Sequence, residues 1–189
     1  MKKIFTLFLI ILLFIGSFTL KDYSEIEQVA IASVIFIEEN NDGFTLTAQI
    51  VNQLEENKKT AVASGKDLNE CIERLNSTLI KKLSLSHCAV TVISVRISSK
   101  ALGNILNTLK DYNKFPLSSN IILAESFNKF TENDTDYSLS EYLINKNHSV
   151  PLYAALRDAY DFKKVNLPII KHNSNGFEVI GNTEKEVAF

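Results

Sequence analysis

The chain has no tryptophan, few glycines and prolines, and only two cysteines and three histidines among its 189 residues. So little glycine and proline excludes a collagen-like or low-complexity chain. Cys71 and Cys88 are too few for a disulfide framework, although export of the chain would permit a bridge between them. The formal net charge of −2 leaves no basic stripe, which argues against nucleic acid as a partner.

Motifs that carry catalysis or cofactor binding are also scarce. The Gly-Lys-Asp sequence at residues 65–67 lacks the upstream glycine of a phosphate-binding loop. His87, His148 and His172 stand far apart, without the spacing of zinc ligands. Cys88 beside His87 does not make a nucleophile and its base, because neighbouring residues of a strand point to opposite faces. We therefore predict no catalytic, cofactor-binding or metal-binding residue.

The first 21 residues predict an export signal or a membrane anchor. Lys2 and Lys3 precede an uncharged apolar run at residues 4–20, and such lysines hold the amino terminus in the cytoplasm. As a helix the run covers roughly 25 Å, slightly less than a bilayer core of ~30 Å. Phe18 and Leu20 are too bulky for a good cleavage site, and no cysteine is present there to carry a lipid. We prefer an uncleaved anchor to a cleaved signal peptide, with one domain of residues 22–189 outside the cytoplasmic membrane.

The start of this domain predicts a β-hairpin. Residues 29–37 form a nearly continuous run of aliphatic side chains, which indicates a strand buried on both faces. Turn residues ending in Gly43 follow, and residues 44–50 alternate between apolar and polar side chains, as in a half-buried strand. Residues 53–59 are predicted to form a charged loop, and residues 60–63 a short third strand.

A helix is predicted next, beginning at Asp67 with Glu70 in the capping-box position. Its apolar stripe faces the core and consists of Leu68, Cys71, Ile72, Leu75, Leu79 and Leu83. Within that stripe Cys71 is interpreted as a small buried hydrophobe rather than a reactive thiol. A strand at residues 87–97 and a second amphipathic helix follow, and the apolar side of that helix consists of Leu102, Ile105, Leu106 and Leu109.

The rest of the chain predicts a mixed architecture. Residues 120–124 resemble a strand, Ser138 is placed at the start of a short helix, and Ser149 with Pro151 at the start of another. Strands are predicted at residues 167–170 and 177–180, on either side of a turn. With 46% hydrophobic and 22% charged residues, a sizeable core is expected. The fold class is therefore α+β, a mixed sheet with packed helices after the amino-terminal helix, although the order of the strands stays open.

Several segments, taken in order, resemble one known family. Residues 22–27 read Asp-Tyr-Ser-Glu-Ile-Glu and lead into the hairpin, which ends with Ile-Val-Asn at residues 50–52. The similarity continues at residues 64–68, 70–75, 82–87, 167–170 and 176–181. In this order and spacing, the segments resemble the amino-terminal domain of the Ger(x)C-type spore germination C-subunit lipoproteins.

The resemblance implies a non-enzymatic subunit of a germinant receptor on the outer face of the spore inner membrane, working with integral-membrane subunits that sense nutrients. It implies no catalytic residue and no cofactor. The family has a histidine at the position of His87, and we expect this side chain to face the core rather than a partner. Leu20 and Lys21 stand where the family has its lipidated cysteine and a tryptophan, so lipid attachment is not expected. Family members continue for another domain or two, so the chain resembles a free-standing first domain or a degenerate relative.

Two functions of different classes therefore remain open. The first is a membrane-anchored interaction subunit of a germinant receptor. The second is an exported enzyme or small-ligand-binding protein that uses the same domain. Membrane-subunit genes beside this one would favour the first function, and metabolic genes would favour the second.

Overall fold

One mixed β-sheet organises the domain. The structure is a computed structural model that describes residues 29–51, 59–125, 136–173 and 176–189. Over these ranges it contains an eight-stranded sheet and four helices, which confirms the predicted fold class. The helix predicted within residues 1–21 lies outside the described residues.

The amino-terminal hairpin is the first element of the sheet. Strand β1 (Val29–Asn40) pairs antiparallel with β2 (Gly43–Val51), with Asn40 opposite Gly43, as predicted. Strand β3 (Lys59–Gly65) then pairs antiparallel with β2, so the predicted third strand is confirmed and longer than expected. Of the predicted charged loop, residues 53–58 lie outside the described residues.

The first described helix, α1 (Leu68–Thr78), begins where the sequence predicts. The Asp67 carboxylate accepts a hydrogen bond from the backbone N–H of Glu70 (2.8 Å). The Glu70 carboxylate accepts one from the N–H of Lys66 (2.7 Å), one residue earlier than in a regular capping box. Leu68, Cys71, Ile72 and Leu75 are buried, as the stripe predicts.

The predicted length of this helix is wrong at its carboxyl end. The helix stops at Thr78, and Leu83 is buried from a separate short strand, β4 (Lys82–Ser84). The hydroxyls of Ser77 and Thr78 donate to carbonyls of the last helical turn, which favours termination there. Asn76 then accepts a hydrogen bond from the N–H of Leu83 (2.7 Å), which holds the returning chain.

The charge of Glu70 makes the stability of the domain depend on pH. Its pKa lies below the usual value of 4.5, mainly because of the Lys66 N–H and, among the other favourable interactions, the Arg74 guanidinium. A lowered pKa in the folded state stabilises the protein above the unfolded pKa, and this contribution is lost as the pH falls through the folded pKa. We expect Glu70→Gln to be less stable than the parent at pH 7, and the difference to shrink as the pH is lowered below 4.5, measured by urea unfolding. A difference that stays constant with pH would contradict this origin, and Glu73→Gln on the same helix is the control.

The centre of the sheet is parallel. Strand β5 (Val90–Ser94) pairs with β1, and β6 (Asn120–Ala124) pairs with β5, both in parallel. Between them runs α2 (Ser99–Asp111), whose predicted apolar side is buried. The strand predicted over residues 87–97 is shorter than expected, because turns at both ends close it: the N–H of Cys88 donates to Leu85 O, and that of Ile97 to Ser94 O.

The carboxyl-terminal third supplies two helices and a second hairpin. Helix α3 (Asp136–Asn145) begins two residues before Ser138, so Ser138 does not cap it as predicted. Helix α4 (Leu152–Phe162) begins after Pro151, and its first residue has no side-chain cap. Strands β7 (Lys164–Asn173) and β8 (Gly176–Glu186) pair as a hairpin, and each extends beyond the strand predicted there at both ends.

The complete strand order is β3-β2-β1-β5-β6-β7-β8, with β4 paired in parallel to the first residues of β1. The four central strands, β1, β5, β6 and β7, therefore run parallel to one another. Antiparallel pairing adds β2 and then β3 at one edge and β8 at the other. Helices α1, α2 and α4 cover one face and contribute to the larger core. Leu139 and Leu143 of α3 pack on the other face, against a smaller core that includes Phe36 and Val92.

Candidate functional site

The two cysteine thiols are unsuited to act as nucleophiles. Cys71 and Cys88 are both buried and neither forms a disulfide, so the bridge that the sequence left open is not formed. Burial raises the pKa of the Cys88 thiol to about 11 and also raises that of Cys71, helped by the nearby Asp67 and Glu70 carboxylates. Because the thiolate is the nucleophile, both groups are inert at neutral pH.

The burial of both cysteines predicts that they react with thiol reagents only after unfolding. In the native protein, neither cysteine is expected to react with a water-soluble thiol reagent at pH 8, because reagent access and thiolate formation are both suppressed. After unfolding in guanidinium chloride, both are expected to react at the rate of a free thiol. Fast labelling of one thiol in the native state would contradict the placement of that side chain.

The expected placement of His87 was also wrong. We expected this side chain to face the core, but it is exposed. It lies in the turn between β4 and β5, whose backbone is closed by the hydrogen bond from Cys88 N–H to Leu85 O (3.0 Å). In this turn His87 faces solvent and Cys88 faces the core, so the two do not form a catalytic pair.

In the described part of the chain, no group of three or more His, Cys, Asp or Glu side chains is arranged to bind a metal ion. Two surfaces formed by described residues combine exposed apolar side chains with lysines.

The first surface lies where the carboxyl-terminal residues 187–189 cross the helices. The N–H of Val187 donates to Lys163 O (2.8 Å), and the N–H of Ala188 donates to Ser99 O (3.1 Å). Gly103 of α2 permits this close approach, because a Cβ built there would lie 2.0 Å from Ala188 O. Residues 187–189 are thereby fixed against α2 and the end of α4.

The result is an aromatic surface, which we define by Tyr160, Phe162 and Phe189. The rings of Tyr160 and Phe189 stack with centroids 4.5 Å apart, and both side chains remain nearly half exposed. Lys163 Nζ lies 5.1 Å from the Phe189 ring centre, and Lys110 Nζ lies 5.5 Å from that of Tyr160. The Tyr160 hydroxyl donates to Asn107 Oδ1 (2.6 Å), which fixes its ring.

Such a surface is suited to contact with another protein. Aromatic side chains are enriched at protein interfaces, and rings held in place before binding lose little conformational entropy. No sequence pattern predicts this surface, because Tyr160 and Phe189 are far apart in the chain and are brought together by the hairpin of β7 and β8.

The second surface is the end of the sheet at which β1 begins, which we call the basal end. It has two concavities of about 400 and 590 Å³, and Val29 lines both. The exposed lysines Lys59, Lys81, Lys82 and Lys114 line one concavity or the other. Ile80, at the rim beside Lys81, is fully exposed.

Comparison with known proteins connects this fold to a family. No helix within the described ranges is long and apolar enough to cross a membrane. Neither curated proteins nor solved structures gave a match. Residues 22–170 match the family described as the spore germination protein N-terminal domain. The matched residues extend from before β1 into β7. This match covers most of the chain and connects it to spore germination: the chain belongs to the family of the spore germination protein N-terminal domain.

Proposed function

We propose that the chain is a membrane-anchored, non-catalytic subunit of a spore germinant receptor, and that it acts in germination through contacts with other proteins. The observation that carries the proposal is the family match over residues 22–170. The inaccessible thiols support a non-catalytic role, since the reactive groups most suggestive of an enzyme in the sequence are buried.

The proposed location is the outer face of the spore inner membrane. It is supported by the apolar run at residues 4–20 after two lysines, which suits an uncleaved anchor. Anchoring would confine the domain beside integral-membrane receptor subunits and raise their effective concentration. These subunits are the proposed partners.

The anchor is tested by fractionation. We expect the protein to stay with spore membranes through an alkaline carbonate wash, without an attached lipid, and with its carboxyl terminus accessible to protease from outside. Recovery of a soluble form that begins near Lys21 would identify a cleaved signal peptide instead.

The proposed protein contact is tested by capture. Tagged protein solubilised from spore membranes is expected to retain integral-membrane receptor subunits. Tyr160→Ala should reduce the recovered amount, because it removes one ring of the aromatic surface. Ile144→Ala, an exposed apolar residue of α3, is the matched control and should have no effect. Equal recovery with both variants would show that the aromatic surface is not part of the interface. Failure to recover any receptor subunit would contradict the proposal.

A further inference from the structure

The basal end is the part of the domain that a membrane anchor would hold nearest to the bilayer. The apolar run ends at residue 20, and β1 begins at Val29. The intervening residues 21–28 can span at most roughly 30 Å when fully extended. A domain anchored through the run therefore stays within one domain diameter of the lipid surface.

Charge and apolar exposure coincide at this end. Its concavities are lined by Lys59, Lys81, Lys82 and Lys114, and none of the described residues that line them is acidic, although the whole chain has a net charge of −2. A fully exposed isoleucine next to lysines combines an apolar side chain that can enter the lipid headgroup region with cations that can meet phosphates.

Acidic residues occur close by in the sequence. Asp111, at the end of α2, is paired with Lys110 (3.6 Å). Residues 22–28 and 52–58, outside the described ranges, include three and two acidic residues respectively. Contact with lipid would therefore depend on the positions of the lysines in the two concavities, not on the total charge of this end.

We propose that the basal end docks on an anionic lipid surface, with Ile80 among the headgroups and the four lysines of the basal end against lipid phosphates. This inference rests on the proposed membrane anchor. Docking would fix the orientation of the domain on the membrane in addition to its distance from it.

The experiment uses the full chain reconstituted into vesicles of phosphatidylglycerol or of phosphatidylcholine. Ile80→Cys is labelled with an environment-sensitive fluorophore, and labelling is selective because both native cysteines are buried. We expect the probe to be shielded from an aqueous quencher in phosphatidylglycerol and exposed in phosphatidylcholine. The same probe at Ile144→Cys, an exposed position on α3, should be accessible in both.

Charge reversal tests the role of the lysines. Lys81→Glu with Lys82→Glu should return the probe at position 80 to water. Each lysine near an anionic surface contributes about a five-fold change in the ratio of docked to undocked domain. Lys100→Glu with Lys171→Glu makes the same change in net charge at exposed positions away from the basal concavities, and should leave the probe shielded.

The outcomes separate this inference from the proposed function. A protein that stays with the vesicles while the probe at position 80 remains in water overturns basal docking and leaves the anchor intact. A protein that does not associate with vesicles overturns the anchor, and basal docking with it. Shielding that is equal in both lipids, or that needs added receptor subunits, contradicts recognition of anionic lipid.

Discussion

Replacing Leu75 by alanine is expected to lower the free energy of unfolding by about 2–5 kcal/mol. The Leu75 side chain is fully buried in the larger core, where α1 packs on the sheet. Its truncation removes buried methyl groups and leaves a cavity that the surrounding helices and strands fill only in part. The measurement is urea unfolding followed by circular dichroism.

Ile80→Ala is the matched control for this prediction. It also shortens an aliphatic side chain close to the end of α1, but Ile80 is fully exposed. Its effect on the free energy of unfolding should lie within about 0.5 kcal/mol. A loss of that small size for Leu75→Ala would mean that the buried face of α1 is wrongly assigned.

Gly43→Ala is expected to destabilise the domain by roughly 2–4 kcal/mol, because two costs act at one position. The φ angle of Gly43 is +139°, which a side chain rarely adopts. A Cβ there would also lie 2.3 Å from Gly65 O, a backbone atom of the neighbouring strand that cannot move by rotating a side chain. The effect is measured by the same unfolding experiment.

Substitutions at two other glycines distinguish the cost of the positive φ from the cost of the steric clash. Gly176 has a positive φ of +108° but open space around it, so Gly176→Ala should cost about 1 kcal/mol from strain alone. Gly181 has open space and no positive φ, and Gly181→Ala should change stability by less than about 0.5 kcal/mol. If Gly43→Ala costs no more than Gly176→Ala, the close approach of β2 and β3 at Gly65 is contradicted.

Local signals in the sequence predicted the elements better than their ends. The alternation at residues 44–50 requires one buried face, and turn residues before it specify the hairpin, so this pairing was predictable. The extent of α1 was not, because Leu79 and Leu83 continue the helical spacing although the chain has already turned. Hydroxyl and amide side chains at residues 76–78 end the helix through local hydrogen bonds, which an apolar pattern does not register.

The order of the strands and the exposed surfaces depend on contacts between distant parts of the chain. Nothing in the sequence of β5 specifies that it lies between β1 and β6. His87 was misplaced because the predicted strand started too early, and a turn residue does not follow the alternation of a strand. The basal lysines come from three separate segments, and they form one surface only because β3, β4 and the end of α2 meet around Val29.

The two surfaces suggest how the proposed subunit would work. The basal end would hold the domain against lipid, and the aromatic surface, formed by the end of α4 and residues 187–189, would remain available to a receptor subunit. Ile80 and the four basal lysines are exposed, so their substitution should alter function while leaving the free energy of unfolding nearly unchanged. Leu75→Ala and Gly43→Ala should instead lower function by reducing the fraction of folded protein.

Germination of spores that lack the gene is the most direct test of the proposed function. Deletion is expected to abolish or strongly slow the response to at least one nutrient, measured as loss of optical density, and the parent gene supplied in trans should restore it. Normal germination of the deletion spores with every nutrient tried would contradict a role as a germinant receptor subunit.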